Sequence, residues 1–412
     1  MNPEFVRKDF PLLIKRNVIY FDNAATSHKP SQVIESIREF YETHNSNVHR
    51  GLHSLSMEAS RMYEEAHEVV RKFIGAKHIE EVVFSSGTTH ALNMIAYMIL
   101  PLLNPGDNII ISIMEHHSNM LPWIKIAKLR GAEVRVARLR EDYMLDYEEL
   151  ARLVDKRTKV IAVTHMSNVL GTIVDIRKVS KLAQENESFL VVDGAQSVPH
   201  IPVSTRELNA DFLVFSGHKM LGPTGIGVLY IKKEIQDLLE PPFTGGGIVE
   251  RVSLKNGVPD IKFLEMPWRM EPGTPNIAGA VGLSEAIKYL MKIGMNEVMS
   301  HEKNLVTYFL EQLEKNDLLR EHLVIYGPTD TRVRGGIISF NIDKLNPNAV
   351  ASFLDTYNIA VRSGYHCAHP LHEYIGASMG SVRASFYIYN TKEEIDTLIR
   401  ALEELIKTTK LK

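Results

Sequence analysis

Four places in this sequence put a chemically useful side chain directly after an apolar run that reads as a buried strand. Lys219 stands in Ser216-Gly217-His218-Lys219, between the runs Phe212 to Phe215 and Gly225 to Ile231. A lysine delivered by a buried strand is penalised as an ammonium, which lowers its pKa and makes its amine a nucleophile able to form a Schiff base. A lone lysine in a turn more often just reaches solvent, so its companions decide. Asp193 ends Phe189-Leu190-Val191-Val192, where a carboxylate needs a cationic or hydrogen-bonding partner, or else caps the next helix. His116 follows the strand ending at Ile113, placed to stack on a flat ring or shuttle protons, although a single histidine is more often structural. Ser85-Ser86-Gly87-Thr88-Thr89 runs straight into the apolar stretch Ala91 to Leu100, so hydroxyls and N–H groups gather at a helix start. That is a place for a phosphate, or merely a self-capped helix.

Neither GxxxxGK[ST] nor GxGxxG occurs, which removes the P-loop and dinucleotide fingerprints. Taken together, an acid for a pyridine nitrogen, a lysine for an aldehyde, a phosphate turn and a stacking histidine make the set that pyridoxal phosphate requires.

The single cysteine, Cys367, lies in Arg362-Ser363-Gly364-Tyr365-His366-Cys367-Ala368-His369-Pro370. One cysteine allows no intramolecular disulfide and points to a cytoplasmic setting. The segment is polar and reads as a loop, and a thiol near Arg362, His366 and His369 is placed to ionise and react. The alternatives are a small buried hydrophobe or a zinc ligand beside His366, His369 and His372. Pro370 and the lack of further thiols weigh against zinc, so no metal is expected.

The elements that must position these groups alternate. A helix from Ser31 and another from about Leu55 to Ile74 precede strands Glu81 to Ser85, Asn108 to Ile113, Glu133 to Ala137, Lys159 to Val163 and Phe189 to Val192. Helices open at Thr88, Asn119, Asp146 (with Glu149 completing a capping box) and Asp175. Such alternation predicts an α/β fold with a mostly parallel sheet covered on both faces, its functional groups at the carboxyl ends of the strands. After Lys232 the pattern gives way to a passage rich in glycine and proline, read as loops. A helical region follows from Ile277 to Leu319, with strands His322 to Tyr326, Gly335 to Ile342, Ala360 to Arg362 and Val382 to Tyr387, and helices near 347 to 357 and 391 to 409. The division expected is an arm at 1–20, a large domain at 21–275 and a smaller C-terminal α/β domain at 276–412 that carries the cysteine loop.

At 412 residues, 44% hydrophobic and 24% charged, the chain has ample material for such cores. A formal net charge of -3 without a basic block argues against nucleic acid. The N-terminus lacks the apolar core of a signal peptide, and the run Met94 to Leu103 is too short to span a bilayer, so no membrane association is expected.

The strings SSGTTHALN, EHHSNMLPW, THMSNVLG, VVDGAQS, SGHKMLGPTGIGVLY, EPGTPN and RSGYHCA, in this order, resemble the class V aminotransferase family of fold-type I pyridoxal phosphate enzymes. Within it the sequence is similar to the group II, SufS-type, cysteine desulfurases, from about Tyr20 to Tyr389. The resemblance implies that Lys219 carries the cofactor, Asp193 faces its ring nitrogen, His116 stacks over the ring and Gln196 bonds the phenolic oxygen. It assigns the phosphate to Thr88, Thr89, Ser216 and His218, with Thr274 reaching the phosphate of the other subunit of a homodimer. Asn168 and Arg383, with Arg362, are implied to bind the substrate carboxylate. L-cysteine would give L-alanine, with the sulfur left on Cys367 as a persulfide and passed to an acceptor protein of iron–sulfur cluster assembly. Other readings on the same scaffold are a selenocysteine lyase, another aminotransferase or lyase in which the thiol has no part, and a non-catalytic binding protein. One departure stands out: the family often reads RxGHHC, whereas Tyr365 precedes His366 here.

Overall fold

The computed structural model describes residues 2–409. Short helices at Pro3–Arg7 and Pro11–Arg16 lead into strand β1 (Ile19–Tyr20). The main sheet is built from β2 (Val82–Ser85), β3 (Asn108–Ser112), β4 (Glu133–Ala137), β5 (Thr158–Thr164), β6 (Phe189–Asp193), β7 (Phe212–Ser216) and β8 (Gly227–Ile231). Their order is β2-β8-β7-β6-β5-β3-β4, and only β8 runs against its neighbours. Alternate residues feed opposite faces. Leu190 and Val192 of β6 enter one apolar core, whereas Val191 joins Trp123 and Ile109 in the other. Burial on both faces explains why the inner strands β6, β7 and β8 read as unbroken apolar runs, whereas the edge strand β4 does not.

The passage after Lys232, expected to run as loops, holds an antiparallel hairpin of β9 (Val249–Lys255) and β10 (Val258–Phe263). Its strands are largely exposed, so no core demand shapes their sequence. The signal lies in the turn, Asn256-Gly257, where both residues have positive φ (53° and 80°). The helical region after Ile277 is three helices, Ile277–Ile293, Met295–Glu314 and Asp317–His322, the last capped by the Asn316 side chain. Asp146 caps its helix as expected, but the box is not completed: Glu149 turns to the backbone N–H and guanidinium of Arg138, a stronger partner than one amide.

A second sheet, antiparallel throughout, has the order β11-β12-β15-β14. Here β11 is Leu323–Tyr326, β12 Ile337–Ile342, β14 Arg362–Gly364 and β15 Ser381–Ser385. The strand expected at 360–362 is thus divided, because its first half, β13 (Ile359–Ala360), pairs instead with β1. Phe21 enters the core of this second sheet, while the helix Ile277–Ile293 packs into a core of the main sheet. The N-terminal segment and the helix that opens the C-terminal region therefore both cross between the two layers. Arg334, 2% exposed, holds the connection between β11 and β12 by donating to the carbonyls of Tyr326, Pro328 and Ile337.

The phosphate-turn candidate depends on one glycine. A Cβ at Gly227 of β8 would lie 2.5 Å from the Cα of Gly87 and 2.8 Å from the carbonyl of Phe215. These are backbone contacts that cannot swing aside. Gly227→Ala is expected to cost about 1–3 kcal/mol and to lower the melting temperature; an unchanged melting curve would contradict this packing.

Candidate active site

The carboxyl ends of the main strands converge with the second sheet around a cavity of about 300 Å³. Lys219, Asp193, His116, Thr88, Thr89, Gln196, Ser216, His218, Asn168, Arg362, Arg383 and Cys367 all line it. Thr274 does not. It lines a separate cavity of about 280 Å³ with His49 and Arg50, on a loop pinned by Glu271, which accepts from the Tyr63 hydroxyl (2.6 Å) and the Phe84 N–H (2.6 Å) and pairs with His67.

Each group is set by its element. Asp193 ends β6, 3% exposed, and burial raises its pKa despite a hydrogen bond from the Ala195 N–H (2.9 Å) and the charge of Lys219. Lys219 follows β7 in a single 3₁₀ turn, and burial brings its ammonium down to about 8. The turn is anchored at the carbonyl of the preceding residue. The His218 oxygen accepts from the Ser27 N–H (3.0 Å), Thr26 Oγ1 (3.1 Å), Ser27 Oγ (3.2 Å) and Lys29 Nζ (3.2 Å). Lys29 went unnoticed in the sequence because nothing in its segment, Ser27-His28-Lys29-Pro30, marks it as buried.

His116 is lowered by burial to about 3 and His218 to about 4, so both rings are neutral near pH 7. His116 Nδ1 accepts from the Ser118 N–H (3.1 Å), which fixes the ring. Across the cavity, Ser216 Oγ accepts the Thr88 N–H (2.8 Å) and bonds Thr88 Oγ1 (2.7 Å), closing β7 onto the start of the helix Thr88–Ile99. Thr89 Oγ1 reaches Ser118 Oγ (2.6 Å).

Arg383 lies on β15, buried, with its guanidinium lowered to about 10 by desolvation. It donates to the Asn168 carbonyl (2.9 Å) and, at 3.4 Å, to Asp22, while the Asn168 amide donates to the His366 carbonyl (2.9 Å). Arg362 grips Asp22 through both Nε (3.1 Å to each oxygen) and Nη2 (2.9 Å). Nothing in the sequence around Asp22 marks it as a shared partner, and only the fold shows it joining both arginines. His366, which sequence proximity offered as a charge for the thiol, is held neutral by burial, and its Nε2 faces the Ser381 carbonyl at 3.1 Å. Cys367 is exposed at the mouth. His372 bonds Ala368 and Ser381, and among the described residues no three His, Cys, Asp or Glu side chains converge to hold a metal ion.

Three lining residues keep a buried polar atom without a protein partner: Gln196 Oε1, His366 Nδ1 and Arg383 Nε. A donor set of hydroxyls at a helix start, a buried acid, a lysine of lowered pKa and a neutral histidine fits pyridoxal phosphate in shape and charge.

The aminotransferase class-V family model matches residues 19–398. A cysteine desulfurase of Haloferax volcanii is 44% identical over 97% of this chain and 95% of its own. Among solved structures, the apo cysteine desulfurase of Thermococcus onnurineus superposes with a TM-score of 0.93 at 43% identity, covering 99% of both chains. A cysteine desulfurase of Escherichia coli does so at 0.90 and 35%, again covering 99% of both. The chain belongs to the class-V aminotransferase family and, within it, to the cysteine desulfurases. This family's fold is the large, mostly parallel sheet with a smaller sheet layer described above, and among the described residues no helix is long and apolar enough to cross a membrane.

A lysine lowered to about 8 exposes more neutral amine as pH rises through that value. The rate at which the cofactor-free protein captures pyridoxal phosphate should therefore climb with a midpoint near pH 8, read from the visible band. A midpoint near that of an ordinary lysine would sink the burial argument.

Proposed function

We propose that this protein is a pyridoxal phosphate-dependent cysteine desulfurase that converts L-cysteine to L-alanine and takes up the sulfur on Cys367. The observation that carries it is one cavity in which a buried lysine of lowered pKa faces a buried carboxylate, with the only thiol of the chain at the same mouth. When bound, pyridoxal phosphate supplies a carbonyl carbon for an amine and a ring that accepts the electron pair left at the substrate Cα.

The residues divide the work. Lys219 holds the cofactor and, as a neutral amine, takes the Cα proton. Asp193 balances a protonated ring nitrogen, a cation that offsets the cost of burying its carboxylate. Neutral His116 would contact the ring, and the Gln196 side-chain amide would hydrogen-bond the phenolic oxygen. Thr88, Thr89, Ser216 and His218 receive the phosphate. Arg383 offers its unpartnered Nε to the substrate carboxylate, beside Asn168, with Arg362 at the entrance.

The Cys367 thiolate attacks the substrate sulfur. A sulfur–sulfur bond forms, the carbon–sulfur bond breaks with its electron pair left on carbon, and protonation there gives alanine. No outside oxidant is needed, because the substrate carbon gains the pair that its sulfur gives up. The exposed persulfide is then open to an acceptor protein of iron–sulfur cluster assembly, in the manner of the group II, SufS-type enzymes, and the single cysteine agrees with a cytoplasmic setting. Thr274 stands outside its own chain's cavity, which supports a homodimer in which it serves the phosphate of the partner subunit.

Cys367→Ala should keep the visible band and its response to L-cysteine while alanine and persulfide formation fall by about 10³-fold or more; undiminished turnover would remove Cys367 from the mechanism. Lys219→Ala and Thr274→Ala are each expected to be inactive alone. Mixed subunits of the two should recover activity if Thr274 serves across the interface, because one site then has both groups; no recovery would assign Thr274 elsewhere.

A further inference from the structure

The turn that carries Cys367 adopts a backbone that side chains avoid. His366 and Cys367, neither a glycine, have consecutive positive φ values of 49° and 56°. Such a turn persists only when its surroundings hold it. On the inner side the Asn168 amide and the Ser381 carbonyl hold His366. On the outer side stands a ladder of three rings. Tyr365 stacks on His369 at 4.2 Å between centroids and 19° between planes, and His369 stacks on His117 at 5.1 Å and 15°. The Tyr365 hydroxyl donates to the Ser378 carbonyl (2.7 Å), and its own carbonyl accepts the Ala368 N–H (2.8 Å). At the far end of the ladder the His117 N–H donates to the Cys367 carbonyl (2.8 Å).

The ladder therefore begins and ends on the thiol turn. It also spans the molecule's two layers, since His117 follows β3 of the main sheet and is the neighbour of the ring-stacking candidate His116, whereas Tyr365 and His369 flank the cysteine. A histidine in place of Tyr365 has no hydroxyl to reach Ser378, so this anchor is particular to the tyrosine.

We propose that Tyr365 is a positioning residue for Cys367: stacked through His369 onto His117, it clamps the strained turn so that the thiol is set over the cavity before substrate enters. This rests on the reading of Cys367 as sulfur acceptor, and one of its readouts does not. Because Cys367 is the only cysteine, whole-protein mass reports its alkylation by iodoacetamide without interference.

The experiment compares holoenzyme of wild type, Tyr365→Phe and Tyr365→Ala in alkylation rate and in single-turnover persulfide formation from L-cysteine. The cofactor band and its response to L-cysteine serve as control. With the clamp removed in Tyr365→Ala, alkylation should rise severalfold and persulfide formation fall by about tenfold or more, with the band response intact. Tyr365→Phe, which keeps the stack, should stay nearer to wild type in both rates. Wild-type rates in Tyr365→Ala would overturn the proposal. Should that variant fail to fold, His369→Ala removes the middle ring from an exposed position and must shift both rates the same way, or the proposal fails. If wild type forms no persulfide while alkylation still rises in Tyr365→Ala, the clamp stands and the desulfurase reading falls.

Discussion

Everything at this site follows from placing charge where water is scarce. Asp193 and Lys219 sit at one edge of the main sheet, Arg383 faces them from β15 of the second sheet, and burial pushes each toward its neutral form. Glu115 extends the pattern. Fully buried beside His116, it is raised to about 8 and is satisfied by Ser112 Oγ, the Asn119 amide and the Thr164 N–H. A protein tolerates such a concentration only if the groups find partners. Some partners are internal, as when Asp22 ties Arg362 and Arg383 together. Others are left for what binds, as with the unpaired Arg383 Nε. The amine of Lys219 is reactive for the same reason that its ammonium is costly.

The His218 carbonyl is held under the same constraint. Four donors from residues 26 to 29 meet one oxygen adjacent to the Lys219 amide, and one of them is an ammonium itself lowered to about 8 by burial. The segment Phe21 to Pro30 thus supports the lysine turn at one end and, through Asp22, the arginines at the other. Two halves of the cavity that come from distant parts of the sequence share one short brace.

Much of this was legible in the sequence where one physical demand dominated. Strands buried on both faces declare themselves by apolar runs, and the polar residue that ends each run must lie at the sheet's edge, so Ser85, Asp193 and Ser216 could be brought together before any coordinates. Cys367 was marked by type and company. What escaped was set by competition between distant groups. Nothing local says that Asp22 meets two arginines, that Glu149 prefers Arg138 to its own helix start, or that the segment after Tyr357 divides because β1 claims half of it. The hairpin Val249–Phe263 escaped for the opposite reason: exposed strands carry little apolar pattern, leaving Asn256-Gly257 as the sole cue.

The pairing of β1 with β13 also has a temporal meaning. Ile19 leaves the ribosome long before its partner Ile359, so the first strand waits unpaired while the main sheet, whose strands all lie between Val82 and Ile231, can assemble. Closure of the second layer must wait for β13 and β15, and it completes the arginine pair and the thiol turn together. A nascent chain that has made its lysine and its acid is still without a finished site, which keeps a reactive amine and a reactive thiol from meeting until the second layer has been made.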